Sequence, residues 1–463
     1  MNDLVIPAMC TSLGSARLAQ PAWAATPIVA RLRVVGAARR LIARDASALA
    51  ATVNRNAADT LVAEVLPLAA AAAYLVRHGR AILAPAAPRG RAPPWLWGVR
   101  AMIVRDPCGV VLILAPSNYP LFLAGAQALQ ALAAGNAVCV KPAPGCSAPM
   151  RSLDVLLREA GLPPGLLTVL PDDAGPAAVG AGYDHIVLTG SAETGRRVLA
   201  AAGLTPCTME LSGADAAFVL PGADLDLVAR CLAYGLRLNG GATCIAPRRV
   251  FVTAADHGPL RDRLMALLSA IPDARVPERI AMHLRDLVAD AVAHGASATI
   301  APGRPVVVDH ARPGMALLQQ DVFAPWLALV PVADMAAALR ADQDCPYALG
   351  ASVFGPDRDA ALFARRVMAG SVCVNDVVAP TADPRLPFVG RGRSGYGETR
   401  GAEGLLRMTV VKTISQRHGR FRPHLDPAKR SDAKLFGVMI GILHGGLSGW
   451  RGAISVLKTR GKP

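Results

Sequence analysis

The sequence predicts an α/β protein built on a doubly wound parallel sheet. Between about residues 101 and 202, short apolar segments alternate with glycine-bearing turns and helical patterns, a repeated β-turn-α order. Several of the strand segments are apolar throughout instead of alternating, as strands buried on both faces are. Composition agrees. The chain is 52% hydrophobic, 18% charged and only 4% aromatic, so Ala, Val and Leu must build the interior. At 463 residues there is room for two or three domains.

The elements follow in order. Apolar positions recur at helical spacing through residues 28–49 and 58–83, and a Pro/Gly-rich break covers 85–94. Strands are expected at 101–104 and 110–114. A helix over 121–134 is closed by Gly135-Asn136, and the short apolar strand 137–140 ends at Lys141-Pro142. The helix 148–160 stops at Gly161. Strands 167–170 and 185–188 come next, the latter feeding Thr189-Gly190-Ser191 and a helix over 192–202. A second alternating unit is expected from 211 to about 401, with strands 249–252, 306–308, 351–354 and 371–374. A last strand, 408–414, precedes the tail. No internal repeat is visible.

The formal charge of +15 does not indicate nucleic acid, because no basic run is interleaved with aromatics. Much of the excess lies beyond residue 416, where ten Lys or Arg face only Asp426 and Asp432. Nine Cys are scattered with no CxxC pair and no Cys/His spacing, so neither a disulfide framework nor a metal site is expected. Reduced thiols in a cytoplasm fit best. No basic stretch followed by an apolar run opens the chain, so no signal peptide is expected.

Cys244 is the most informative residue. In Asn239-Gly240-Gly241-Ala242-Thr243-Cys244-Ile245, small residues lead into a thiol and a bulky apolar residue follows. A loop of that kind presents a nucleophile, although most free thiols are buried structural residues. Arg248 and Arg249 would favour thiolate if turned inward; surface placement is the commoner fate of Arg. Glu210, in Met209-Glu210-Leu211, is a carboxylate among apolar residues at a strand end, costly there without a task or a partner. Asn118, in Pro116-Ser117-Asn118-Tyr119-Pro120, has an amide held by two prolines, suited to an oxyanion hole and equally to turn chemistry. Lys141 is the only Lys before Lys412 and ends a buried strand, where an ammonium suits a ribose or phosphate. Gly190-Ser191-Ala192-Glu193-Thr194-Gly195 joins a strand to a helix, so its backbone can approach a pyrophosphate.

Together these strings resemble the aldehyde dehydrogenase superfamily, from about residue 31 to 414. The segments occur in the family's order: Asp106-Pro107-Cys108-Gly109, Pro116 to Leu121, Ala133 to Lys141-Pro142, Gly161 to Gly165, Thr189 to Arg196, Glu210 to Gly213, Asn239 to Cys244, Val322-Phe323-Ala324-Pro325, and Leu386-Pro387-Phe388 with Ser394 to Gly397. The resemblance implies a Rossmann-like doubly wound cofactor domain, a second α/β catalytic domain and a small β bridging element. Expected limits are 1–210, 211–401 and 402–463, the last including the tail. It also implies that NAD or NADP oxidises an aldehyde to its acid through a Cys thiohemiacetal and thioester. Cys244 would be the nucleophile, Glu210 the general base, and Asn118 with the Cys244 N–H the oxyanion hole. Ser117, Lys141, Gly190, Ser191, Gly195, Asp321 and Phe323 would bind the cofactor, and Phe388 would line the substrate tunnel. A homodimer or tetramer is expected.

Some positions depart from the family pattern. Ser117 stands where Trp is usual, Ala242 where Gln is common and Val389 where Gly is common. Asp321 is one methylene shorter than the usual Glu. Pro144 replaces a ribose-binding Glu, which removes one obstacle to a 2′-phosphate. Glu210 favours hydrolysis over transfer to coenzyme A, whose family members commonly lack it. A catalytically weak binding or scaffold relative is the other class considered, and the intact Cys244, Glu210, Asn118 and Lys141 speak against it.

The tail holds an uncharged apolar run, 435–450, with five glycines and basic flanks. It is shorter than the roughly 18 residues a spanning helix needs. Packing on the body or on a partner subunit is expected. Peripheral contact with the anionic inner face of the membrane, suited to a lipophilic aldehyde, is the alternative.

Overall fold

The structure is a computed structural model, and it describes residues 5–271, 273–299, 303–420, 422–429 and 432–446. By its internal contacts the chain forms two compact units. One comprises residues to Ala86 with Ile103–Lys412; the other comprises Ala87–Met102 with the residues from Thr413.

The first unit opens with helices. Ile28–Arg44 buries Leu32, Val35, Ala38 and Ile42, and the helix Leu66–Leu83 buries Leu68, Ala72 and Leu75. The two pack closely because glycine faces them: a Cβ on Gly79 would lie 3.2 Å from Leu32. An unexpected helix, Val5–Ala25, precedes them. Trp23 Nε1 donates to Leu132 O (2.9 Å), and Arg31 donates to Ala133 O (3.1 Å) and Thr26 O (2.8 Å). The bonds to Leu132 and Ala133 tie both residues to the last turn of the helix Phe122–Ala134, which Gly135 terminates at φ 100°, and the bond to Thr26 O holds the turn between the first two helices.

Phe122–Ala134 is buried along its whole length, which explains its apolar composition on every face. It covers a six-stranded sheet in the spatial order Gly395–Tyr396, Cys207–Leu211, His185–Gly190, Val110–Leu114, Ala137–Lys141, Leu167–Val169. All neighbours are parallel except Gly395–Tyr396, which pairs antiparallel with Gly395 opposite Glu210. Chain order reverses at Val110–Leu114: later strands lie on both sides of it. A crevice therefore opens beyond its carboxyl end, between the loops after Leu114 and after Gly190.

A seven-stranded sheet has the order Ser371–Val374, Gly350–Phe354, Asp215–Val219, Pro247–Thr253, Trp326–Val332, Val306–Asp309, Ser297–Thr299. It is parallel except for its last strand. Phe218, Phe251 and Trp326 fill its interior. The two sheets bear out the α/β, doubly wound expectation. A further two-stranded sheet pairs Val99–Pro107 with Thr409–Arg417.

In the second unit, His418 N donates to Gly98 O (2.7 Å) and Arg417 Nη1 to Trp97 O (3.0 Å). The apolar run of the tail begins inside the helix Asp432–His444. Residues 447–450 of that run, and the rest of the basic tail, lie outside the described residues.

Candidate active site

Cys244 lies between the helix Leu225–Arg237 and the strand Pro247–Thr253. Asp224 starts that helix by accepting from the backbone N–H of Asp226 and Leu227. After the helix Asn239, Gly240 and Gly241 all take positive φ, at 50°, 58° and 76°. Gly241 tolerates no side chain, because a Cβ would sit 2.5 Å from Pro325 Cα and from the Ala324 carbonyl carbon. Arg248 locks this contact. It donates to Ala324 O (2.7 Å), Trp326 O (3.0 Å) and the Gly241 carbonyl. The thiol loop is thereby clamped to the segment that carries Asp321 and Phe323. Arg248 and Arg249 are each 2% exposed, contrary to the commoner surface placement. Arg249 pairs with Asp342 at 2.8 Å. No hydrogen bond joins either guanidinium to the thiol.

Asn118 reaches the same loop from the first sheet. Its Nδ2 donates to Ala242 O (3.2 Å), and its Oδ1 accepts from Tyr119 N (3.0 Å). Asn239 Nδ2 donates to Asn118 O (2.9 Å), and Tyr119 Oη bonds Thr243 Oγ1 (2.6 Å). Beneath the turn, Glu64 is wholly buried. Its Oε2 accepts from Leu121 N (2.7 Å) and Phe122 N (3.1 Å), and its Oε1 lies 3.3 Å from Arg55, which donates to the Asn118 carbonyl. Sequence reading missed this pair. Its one signal is a lone carboxylate in the apolar stretch 61–73.

Glu210 is 3% exposed on Cys207–Leu211. Its Oε2 accepts from Thr399 Oγ1 (2.9 Å), and its Oε1 has no hydrogen-bond partner. Burial raises its pKa, opposed by Arg400 and then by the Thr399 bond. Burial also pushes the Cys244 thiol well up, and Glu210, Asp215 and Asp321 add to the effect while Arg400 opposes it. Thr399 and Arg400 have no signal in the sequence that separates them from surface residues.

Cys244, Glu210 and Asn118 line one cleft of about 740 Å³ together with Ser117, Gly190, Ser191, Asp321 and Phe323. Three other expected site residues lie elsewhere. Lys141 ends its strand half-buried, its ammonium stem over Gly175 and its pKa lowered by burial against the opposing pull of Asp172 and Asp173. Gly195 lets its helix approach the sheet, since a Cβ there would meet Leu211 at 2.8 Å. Phe388 is 3% exposed, with the Arg400 guanidinium 4.5 Å from its ring centre.

The cleft wall away from the thiol fits a dinucleotide. Ser191 caps the helix Ala192–Ala202 through a bond from Thr194 N (3.1 Å), placing a helix N-terminus at the crevice where chain order reverses. Asp321 Oδ1 is buried with no hydrogen-bond partner, an acceptor available to a hydroxyl. Burial raises this carboxyl to about 6, with Ser212 and Arg248 opposing.

Residues 11–414 match the aldehyde dehydrogenase family. The 4,4′-diapolycopene aldehyde oxidase of a Methylomonas species is 30% identical over 418 residues, covering 85% of this chain and 79% of its own. A probable coniferyl aldehyde dehydrogenase of Pseudomonas aeruginosa is 31% identical over 428 residues, covering 86% and 88%. The NADP-dependent glyceraldehyde-3-phosphate dehydrogenase from Bacillus halodurans, crystallised with NADP, matches with a TM-score of 0.81 at 26% identity over 89% of this chain and 91% of that one. The chain belongs to the aldehyde dehydrogenase family, as an NAD(P)-dependent oxidoreductase that converts an aldehyde to its carboxylic acid.

Proposed function

We propose that Cys244 is the nucleophile, Glu210 the general base, and Asn118 with the backbone N–H of Cys244 the oxyanion hole. The convergence of these three side chains on one cleft supports this most. Glu210 takes the thiol proton, and the thiolate adds to the aldehyde carbon. Asn118 Nδ2 gives up its bond to Ala242 O and meets the oxyanion; one such donor is typically worth about 10²–10³ in rate. NAD(P)+ held in this cleft would supply the acceptor for the hydride that leaves the reacting carbon. The acyl group remains on Cys244 as a thioester. Glu210 first releases the thiol proton to water of the cleft; as a carboxylate it then takes a proton from a second water, whose oxygen attacks the thioester, breaking the C–S bond and leaving the acid and the Cys244 thiolate.

Gly190, Ser191 and the helix they start would hold the pyrophosphate beside Ser117. Lys141 would meet the adenosine ribose, and Asp321 and Phe323 the nicotinamide ribose and ring. Gly195 serves that site through close helix packing. Phe388 forms part of the substrate tunnel. Residues to 210 act as the cofactor domain and 211–401 as the catalytic domain, with 402–463 as bridging strand and tail. Cys244→Ala should abolish turnover with cofactor binding intact; dehydrogenase activity at the wild-type rate would sink the assignment.

We place the enzyme in the cytoplasm as a homo-oligomer. Of the nine cysteines, the eight from Cys108 to Cys373 are all free, which suits a reducing compartment. Val410, Val411 and Ile414 are exposed on one strand, an apolar surface suited to a second copy. Light scattering tests the assembly. For the tail, packing on the body or on a partner subunit stands first and peripheral membrane contact second. On Asp432–His444 the side chains of Leu435, Phe436 and Ile440 are exposed, with Lys429 and Lys434 nearby in sequence. Equal flotation on anionic liposomes with and without residues 417–463 would remove the second.

A further inference from the structure

Arg400 is 7% exposed, yet no carboxylate pairs with it among the described residues. Its Nη1 donates to the Thr381 carbonyl, and its Nε is buried without a partner. The guanidinium lies 4.5 Å from the ring centre of Phe388 and 5.7 Å from that of Phe122. Cation–π contact offsets only part of the desolvation that an unpaired buried ion suffers. Its backbone is also held in an unfavourable region, at φ 62°. Gly401 behind it is fixed, since a Cβ there would meet Pro387 N at 2.8 Å. The cation is therefore held rigidly where neither solvent nor an ion pair compensates it.

We propose that Arg400 is a positioning residue for the reaction: a fixed cation whose field serves, in turn, the thiolate of Cys244 and the carboxylate of Glu210. The inference rests on the roles given to those two residues above. The pair holds one proton and one negative charge. When the thiol proton passes to Glu210, the S–H bond breaks, an O–H bond forms, and the charge moves from carboxylate to sulfur without changing the total. Arg400 directly follows Thr399, whose Oγ1 donates to Glu210 Oε2 (2.9 Å), and Glu210 shares its cleft with Cys244, so a cation fixed there stabilises the anion on either group, the carboxylate more strongly. Once the thioester has formed, sulfur carries no charge, and Arg400 favours the carboxylate that must deprotonate water.

The surrounding charges leave this task to Arg400. Glu210, Asp215 and Asp321 face Cys244 and disfavour thiolate. Arg248 faces it too, but its donors are committed to three carbonyls. Tyr119, whose phenol is held neutral by burial, adds no charge. For Glu210, Arg400 is the first influence opposing burial, followed by the neutral Thr399.

The test compares Arg400→Met and Arg400→Lys with the wild-type enzyme. The readout is the pH dependence of Cys244 alkylation by iodoacetamide, followed on the Cys244 peptide by mass spectrometry and so independent of turnover. Arg400→Met should move the alkylation midpoint up by about one pH unit, a tenfold loss of thiolate near neutral pH. The kcat–pH profile should move in the same direction, and Arg400→Lys should recover most of both shifts. Superimposed alkylation profiles for Arg400→Met and wild type would overturn the proposal, as would equal profiles for Lys and Met. If Arg400→Met does not fold, Arg400→Gln is read in the same way. Loss of turnover in Cys244→Ala with no alkylation shift in Arg400→Met would overturn this proposal alone.

Discussion

Thr399 donates from Oγ1 to Glu210 Oε2 across 2.9 Å, and it exchanges both backbone hydrogen bonds with Phe388 at 2.8 Å each. Glu210 therefore takes its orientation from a residue that also fixes Phe388, whose ring packs against Arg400. This is the only hydrogen bond to that carboxylate among the described residues.

Thr399→Val removes the bond at nearly constant shape. The buried carboxylate loses its donor, so its proton affinity rises and its angle to water loosens. Deacylation should slow about tenfold, a fraction of the roughly 10²–10⁴ that a whole acid–base contribution is worth, because the base itself remains. Rapid mixing should show a burst of reduced cofactor followed by a slower steady state. An equal loss of burst and steady rates would contradict the prediction, because it would locate the defect before the thioester.

Gly241→Ala should cost more than its single methyl suggests. The new Cβ meets backbone at 2.5 Å on the far side of the thiol loop and strains a φ of 76°. We expect a loss of about 2–4 kcal/mol in urea unfolding and a kcat reduced more than KM, because the loop carrying Cys244 must move. A variant with wild-type stability and rate would show that the loop yields freely.

In the first sheet the central strands were legible because 110–114 and 137–140 are wholly apolar and each is followed by a proline turn, whereas Gly395–Tyr396 is too short to show a pattern. In the second sheet, Asp215–Val219 and Trp326–Val332 were missed. The former is short and opens on a carboxylate, and Pro331 interrupts the apolar run of the latter, which reads as a break. Val5–Ala25 was hidden by Gly14 and Pro21, which spoil a helical pattern. At the site, the strings around Cys244, Glu210 and Asn118 single those residues out but leave a structural reading open for each, and it is the order of the family-like segments that gives them roles. Arg400 is not singled out, because its burial comes from Phe388, Phe122 and Thr381, contacts that only the fold assembles.

Stability should fall with pH through Asp215. Burial raises this carboxyl to about 7, although Gly350 N donates to it and Arg249 lies near. In the unfolded chain it titrates near 4. Between about pH 4 and 7 the folded protein holds a proton that the unfolded chain has released, so ΔG of unfolding falls as pH rises across that window. The full effect is on the order of 4 kcal/mol. Asp215→Asn keeps the acceptor and removes the titration. Its stability relative to wild type should climb from pH 4 to 7 and then level off. Denaturant midpoints that run parallel across this range would refute the assignment.

Glu64 carries the turn of Asn118 without touching the cleft. Glu64→Ala would strand Arg55 beside Tyr119 and leave Leu121 N and Phe122 N without their acceptor. Breaking a buried pair from one side typically costs about 3–5 kcal/mol. Glu64→Gln retains one acceptor for those N–H groups and should cost less. Because Arg55 also bonds the Asn118 carbonyl, the Asn118 amide should drift with it, lowering kcat in both variants before cofactor affinity changes if that amide is the proposed oxyanion donor. Urea unfolding and cofactor titration on the same samples separate the two effects. Stability of Glu64→Ala within about 1 kcal/mol of wild type would mean that the turn is held by its prolines and the Tyr119–Thr243 bond instead.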